Sequence, residues 1–409
     1  MTTTAAFAGS ASVQGAHAGD FTVSVVTGRL HLEALRDDWT DLLLHSHQVN
    51  AFLTWEWMTA WLDEYAPAGA PYVVLVRRAQ DGALAGLAPL YRPAASFPIG
   101  LQTLRFMGSG VGADHLGVVC RRGLEEPVRT ILAEHLLSAH NWELLDLQRM
   151  DEETARWFHE TVTRRGPGRF ASSIAVADVC PFLALPGTWE EYLQSLGSRE
   201  RRDFGRQWRR LQEQGAVVIE RVESADGLER AWEILRHLHL ARREAVDGRS
   251  GFTTRDQTEA FHRRFMRAAL ERGWLRCYLM RVGDRHVAAE YCINFGGRIA
   301  GFQGGFDTAW ARYSVRALLM AHAIQEAIAE GAWEFDFLRG GEAYKQQRWQ
   351  AVPRHDLSLL IWRRSPVAAL KVAARRWAEQ VKTSLTRRRT KGAHAEAADG
   401  ETPPVVPSG

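Results

Sequence analysis

Several side chains in the second half of this 409-residue chain carry chemistry in unusual settings. Glu290 stands inside the apolar run VAAEYCI, where a carboxylate is costly unless solvent or a partner receives it. It is the leading candidate for a general base, although strand alternation leaves open whether it faces a site or solvent. Asp336 lies between Phe335 and Phe337 in WEFDFL, where it either pairs with Arg339 or Lys345 or orients a second substrate. Tyr344 and Lys345 follow a Gly-Gly turn. The first offers a proton donor or a packed aromatic, and the second a cation for a carbonyl oxygen. His239, in HLHLARRE, is a further candidate base, or an ordinary helical histidine.

One segment is built for an anion. The strand GFQGGF runs into the loop DTAWARYS and then a helix beginning near Val315. The first turn of a helix leaves amide N–H groups unsatisfied, and its dipole favours negative charge. Arg312, Tyr313, Ser314, Val315, Arg316 and Ala317 form this turn, and the two arginines suit a pyrophosphate. A Walker-type glycine pattern, GxSxG and HExxH are all absent, so the sequence points to neither a P-loop, an elbow hydrolase nor a zinc protease.

The elements that must position these residues follow from periodicity. A strand is expected at Phe21–Val26, then helices carrying Leu32 to Leu43 and spanning Trp55–Tyr65. A hairpin of Tyr72–Arg77 and Leu84–Tyr91 turns at Asp81-Gly82. A helix over 128–139 leads into the strand WELLDL. The second half repeats this order: helices at 232–243 and 258–272, a hairpin of 275–282 and 287–295, the GFQGGF strand, a helix over 315–330 and the strand 333–338. Asp146 and Asp336 close the two matching units, which indicates duplication of one α/β module. Between them, Thr188 and Glu191 make a capping box, and Ser198 is expected to cap the next helix. That helix presents Arg199, Arg201, Arg202, Arg206, Arg209 and Arg210, read either as a solvated face or as an anion-docking surface. His322 falls on an apolar stripe and is expected in the core.

Composition sets the class. A 46% hydrophobic, 24% charged chain of this length suits two globular domains. The net charge is +3, and ten Lys/Arg against one Glu lie between Arg363 and Lys391, so basicity sits in a tail and not on the body. That distribution argues against a dedicated DNA binder. Four cysteines without CxxC spacing indicate neither zinc nor a disulfide framework. Residues 1–20 read as a flexible leader without a signal-peptide pattern, and no apolar run is long enough to cross a bilayer, so the cytoplasm is the expected compartment.

The segments VAAEYCINFGGRIAGFQGGFDTAWARYSVRALL and AIQEAIAEGAWEFDFLRGGEAYKQQRW resemble the GNAT-superfamily acetyltransferases associated with bacterial cellulose and exopolysaccharide synthesis, the CelD/BcsL type. PYVVLVR, LAGLAPLY and GADHLGVV extend the resemblance into the first half. The family is similar in architecture to the Fem-type aminoacyltransferases, which are also tandem GNAT folds. The resemblance implies an α/β (α+β) fold of two tandem GNAT-like domains, each a mixed twisted sheet flanked by helices. These would be a degenerate first domain at 21–177 and an acyltransferase domain at 178–365, with a basic helix and tail at 366–409. It also implies acetyl-CoA or another acyl-CoA as donor, an amine or hydroxyl as acceptor, and direct transfer without a covalent enzyme intermediate. From the residues themselves, no metal is expected, and Tyr344 is the candidate to protonate the leaving thiolate. Where related loops carry a glycine, this chain has Arg316 and Ala317. The readings that remain beside it are a Fem-like enzyme using charged tRNA and a noncatalytic scaffold. In the scaffold reading, the basic tail makes a weak contact with a membrane or a membrane synthase.

Overall fold

The computed structural model describes residues 20–94, 100–244, 256–366, 368–370 and 372–374. Its strands are β1 (Phe21–Val26), β2 (Ala70–Arg78), β3 (Leu84–Arg92), β4 (Thr103–Phe106), β5 (Val119–Cys120), β6 (Leu144–Asp151) and β7 (Phe170–Ala184). The second half adds β8 (Val217–Arg221), β9 (Leu275–Val282), β10 (Arg285–Phe295), β11 (Arg298–Phe306), β12 (Glu334–Asp336) and β13 (Val352–Arg363). Among the described residues they form one mixed sheet in the order β1-β2-β3-β4-β6-β13-β7-β12-β11-β10-β9-β8, with β5 on β3. This is a mixed α/β fold with helices flanking the sheet.

The order reads the same from either edge inward. Three antiparallel neighbours lead to a parallel pair, β4 with β6 on one side and β11 with β12 on the other. At the centre, β13 pairs with β6 while β7 pairs with β12, and β7 and β13 pair with each other. Each half is therefore completed by the last strand of the other. The expected joint at 177/178 falls inside β7. Asp146 and Asp336 occupy matching places, and each takes an arginine from the neighbouring parallel strand: Arg105 at 2.9 Å and Arg298 at 2.7 Å.

The expected hairpins and the helix at 55–65 are present, and the helix expected over 315–330 runs from Val315 to Ala329. The capping box forms, with the Glu191 amide donating to the Thr188 hydroxyl. Ser198 is not a cap. Gly197 occupies that position without a side-chain bond, and Ser198 begins the helix Ser198–Gln212. The loop 308–313 is a 3-10 turn, and part of the expected turn 339–345 belongs to a short helix, Ala343–Trp349. Of the basic helix expected at 367–386, residues 368–370 and 372–374 are helical and the rest lies outside the described residues.

Apolar packing joins the halves. Trp57, from helix Trp55–Tyr65, meets Phe261 and Phe265 of helix Asp256–Glu271, each at 4.8 Å between ring centroids. Trp57 is fully buried, and truncating such a residue to alanine costs about 3–5 kcal/mol. His322, expected in the core, is only half-buried and packs edge-on against Tyr278.

Candidate functional site

Two adjacent glycines decide the shape of the site. At Gly305, a Cβ would lie 2.4 Å from the His239 backbone nitrogen, so glycine lets helix Ala225–Glu244 lie directly on β11. At Gly304, a Cβ would lie 2.2 Å from a Glu290 carboxylate oxygen, so glycine leaves room for that buried side chain on β10. The GFQGGF word thus works as a socket for two of the predicted residues.

A cavity of about 450 Å³ opens beside this socket. His239, Arg316, Tyr344 and Lys345 line it, together with Phe302, Met320 and Phe337. His239 is buried, and its Nδ1 lies 3.2 Å from the Gly304 carbonyl. A carbonyl only accepts, so Nδ1 carries a proton there. Tyr344 is about half exposed at the cavity.

Glu290 is placed differently from the sequence reading. It is fully buried and not among the cavity-lining residues, and its carboxylate lies 3.7 Å from Nε of Arg316. The geometry places it behind Arg316. Lys345 also differs. Its ammonium is buried and donates to the carbonyls of Phe337, Arg339 and Gly340 and to Glu342 at 2.9 Å. Its donors are directed at the turn that forms this part of the cavity wall.

Asp336 is the clearest departure. It pairs with neither Arg339 nor Lys345. Its Oδ2 accepts from Arg298 at 2.7 Å and Arg354 at 2.8 Å, and lies 2.8 Å from Nε2 of His115. Nδ1 of His115 meets Asp356 at 2.6 Å. Glu334 completes the cluster with Arg298 and Arg354. Three acids and three bases are thus buried together where the halves meet. Asp336 is spent within it, so an acceptor-orienting role is unsupported. Burial acts to lower the His115 pKa, but Asp336 and then Asp356 outweigh it and hold it at about 9. His115 is therefore an imidazolium donating to both carboxylates. Cys180 lies near His115 and Asp356 in a grouping of metal-ligand type, but both imidazole nitrogens are already engaged.

Of the six residues expected at the anion turn, only Arg316 lines the cavity. Ser314 precedes the helix in the left-handed region (φ 57°) and makes no side-chain cap, so the first-turn amides of Val315, Arg316 and Ala317 are not taken up by one. Val315 itself is buried, and Arg312 stacks 4.9 Å from the Tyr313 ring.

Sequence reasoning missed the wall supplied by the first half. Gly110, Val111, Gly112 and Asp114 line the same cavity, as do Tyr65, Thr258 and His262. Gly108, Gly110 and Gly112 all have positive φ, which the alternating glycines of GSGVG could have signalled. Gly112 also lies against Phe302, where a Cβ would come within 2.8 Å. Asp114, buried and raised in pKa by that burial, pairs with Arg339 at 2.8 Å. Burial lowers His262 to about 3, which keeps it neutral. Nothing in the local sequence pairs these residues, because the contact is between halves.

Residues 198–346 match the family described as an acetyltransferase (GNAT) domain. This GNAT segment holds every predicted site residue, while Tyr65 and the Gly110–Asp114 wall lie outside it. Over about four-fifths of its length the chain also shares its fold with known structures. FemX aligns at a TM-score of 0.57 with 12% identity, over 79% of this chain and 95% of that one. The C-terminal domain of an Agrobacterium fabrum protein named for lysylphosphatidylglycerol synthetase gives 0.53 and 10%, over 84% and 96%. A conserved Bacteroides thetaiotaomicron protein of unknown function gives 0.51 and 13%, over 83% and 99%. At these identities the likeness is one of fold. No curated protein matches the chain significantly. No helix among the described residues is long and apolar enough to cross a membrane.

Proposed function

We propose that this protein transfers an acyl group from acyl-CoA to an amine or hydroxyl bound in the cavity between the two halves, in polysaccharide or cell-envelope biosynthesis. One observation carries the reading. The uncapped start of helix Val315–Ala329 and a cavity lined by His239, Arg316 and Tyr344 adjoin within the segment that matches the GNAT acetyltransferase model. The residues suit the donor: first-turn amides and Arg316 for its phosphates, and Met320, Phe302 and Phe337 for the acyl end.

In this reading, Nε2 of His239 takes a proton from the acceptor as its nitrogen or oxygen attacks the thioester carbonyl. The carbon–sulfur bond then breaks, and the leaving thiolate takes a proton from the Tyr344 hydroxyl. Glu290 holds Arg316 at the rim. The wall of Gly110–Asp114 gives the first half a share in the acceptor side.

Calorimetry with acetyl-CoA and a thiol-release assay over a panel of amines and sugars test this. Binding is expected, with turnover falling ~10²-fold in each of Tyr344→Phe and His239→Gln. Absence of acyl-CoA binding, or wild-type rates in both variants, overturns the proposal.

The helix Ser198–Gln212 favours a second reading, aminoacyl transfer from charged tRNA. Its six arginines are exposed, and among the described residues only Arg206 has an ion pair, with Asp203. A gel shift with charged tRNA that disappears in Arg202→Glu/Arg206→Glu, together with no acyl-CoA binding, would select it.

A further inference from the structure

A second cleft, of about 440 Å³, lies at the same junction and is used by nothing described so far. Helix Glu125–Ser138 lines it with Glu125 and Arg129, one turn apart near the helix start. Helix Val315–Ala329 lines the first cavity in the same way with Arg316 and Met320. The end of β6 contributes Asp151, as the chain after β12 contributes to the first cavity. The second cleft is thus the counterpart of the first under the pseudo-symmetry of the sheet, relined for different chemistry.

Every residue lining it is polar: His47, Gln48, Asn50, His115, Glu125, Arg129, Asp151, Glu153, Arg298 and Arg354. No apolar side chain is offered to an acyl or aromatic group. Every ionisable side chain on these walls except Asp151 already has an ion-pairing partner. Arg129 pairs with Glu153, His47 with Glu125, and Arg298, Arg354 and His115 with the buried acid cluster behind. An anionic ligand group would have to break one of these pairs.

What remains open is hydrogen-bonding capacity. Four buried atoms on these walls make no hydrogen bond with described residues: Nε of Arg129, Nε of Arg354, Oε1 of Gln48 and Oδ2 of Asp151. Arg129 itself is only 6% exposed. Two donors and two acceptors left over fit a group that both donates and accepts. Hydroxyls do this, and a ring bearing several of them does it on all sides.

We propose that this cleft is a binding site for an uncharged polyhydroxylated ligand, a sugar unit, held by Gln48, Arg129, Asp151 and Arg354. The site stands apart from the acyl cavity and does not depend on the acyl-transfer reading. Saturation-transfer NMR on the full chain, with glucose, galactose, N-acetylglucosamine and cellobiose up to roughly 10 mM, is the test. At least one should give transfer to its ring protons. Two variants remove the open acceptors: Gln48→Met, and Asp151→Asn, which keeps a capping side chain for helix Glu152–Arg165. Each is expected to weaken binding about tenfold or more, with acetyl-CoA titrations unchanged. If one variant fails to fold, the other still decides. No transfer from any of the four sugars would show a cleft that holds water only and overturn the proposal. Transfer that persists in both variants, or displacement of the bound sugar by phosphate, would overturn it as well.

Discussion

The buried cluster at the junction makes stability depend on pH in a direction set by its geometry. At neutral pH, Arg298, Arg354 and the His115 imidazolium balance Glu334, Asp336 and Asp356. Raising the pH removes the His115 proton and leaves an unbalanced buried carboxylate. The folded value of about 9 lies above the ordinary 6.5, so the stabilisation is complete below 6.5 and lost as pH rises through 9. That gap corresponds to about 3 kcal/mol. For a chain of this size, ~1–2 °C of melting temperature accompanies each kcal/mol, so the loss amounts to roughly 3–6 °C. Thermal melts of wild type and His115→Gln between pH 6 and 9.5 isolate the effect, because other titrating groups cancel in the difference. Wild type should lead below pH 6.5, and its lead should shrink by those few degrees toward pH 9.5. A difference that stays constant or grows with pH refutes the reasoning, as does an imidazole pKa below 7 by NMR. On the acid side, His115 and Arg298 outweigh burial and hold Asp336 well below the usual carboxylate range, so its contribution persists far into acid and is lost only as pH falls further.

Two further substitutions probe the cavity walls. Gly305→Ala should cost ~1–3 kcal/mol, because the new methyl meets the backbone of Leu238 and His239, which cannot rotate away. A melting temperature within a degree of wild type would show that the helix does not press on β11 as described. Lys345→Met removes the cation that gathers the carbonyls of the turn and Glu342, with a loss of ~1.5–3 kcal/mol and a raised KM for the acyl donor. An unchanged KM and melting temperature would remove Lys345 from the wall-shaping role.

Much of the fold was legible because periodicity and turn chemistry are local. The hairpin at Asp81-Gly82, the capping box at Thr188 and the helix at Val315 follow from residues only a few positions apart. The repeat of hairpin, helix and Trp-Glu-x-x-Asp strand also predicted two like halves, which the order of the sheet bears out. The strands β7 and β13 were not legible. Their partners lie in the opposite half, and the segment at 177–186 reads as a joint when its neighbours in the sheet are unknown.

The same division runs through the site. Sequence alone marked Glu290, Arg316, Asp336 and Tyr344 as side chains in need of an explanation, because a charge in an apolar run or a polar group beside a Gly-Gly turn is costly anywhere. What each one does was decided by tertiary structure. Glu290 stands behind Arg316, Asp336 answers His115 from more than 200 residues away, and Lys345 ties a turn. A residue type states which interaction it requires. Only the folded chain determines which partner satisfies it, because that partner is brought close by packing and not by position in the sequence.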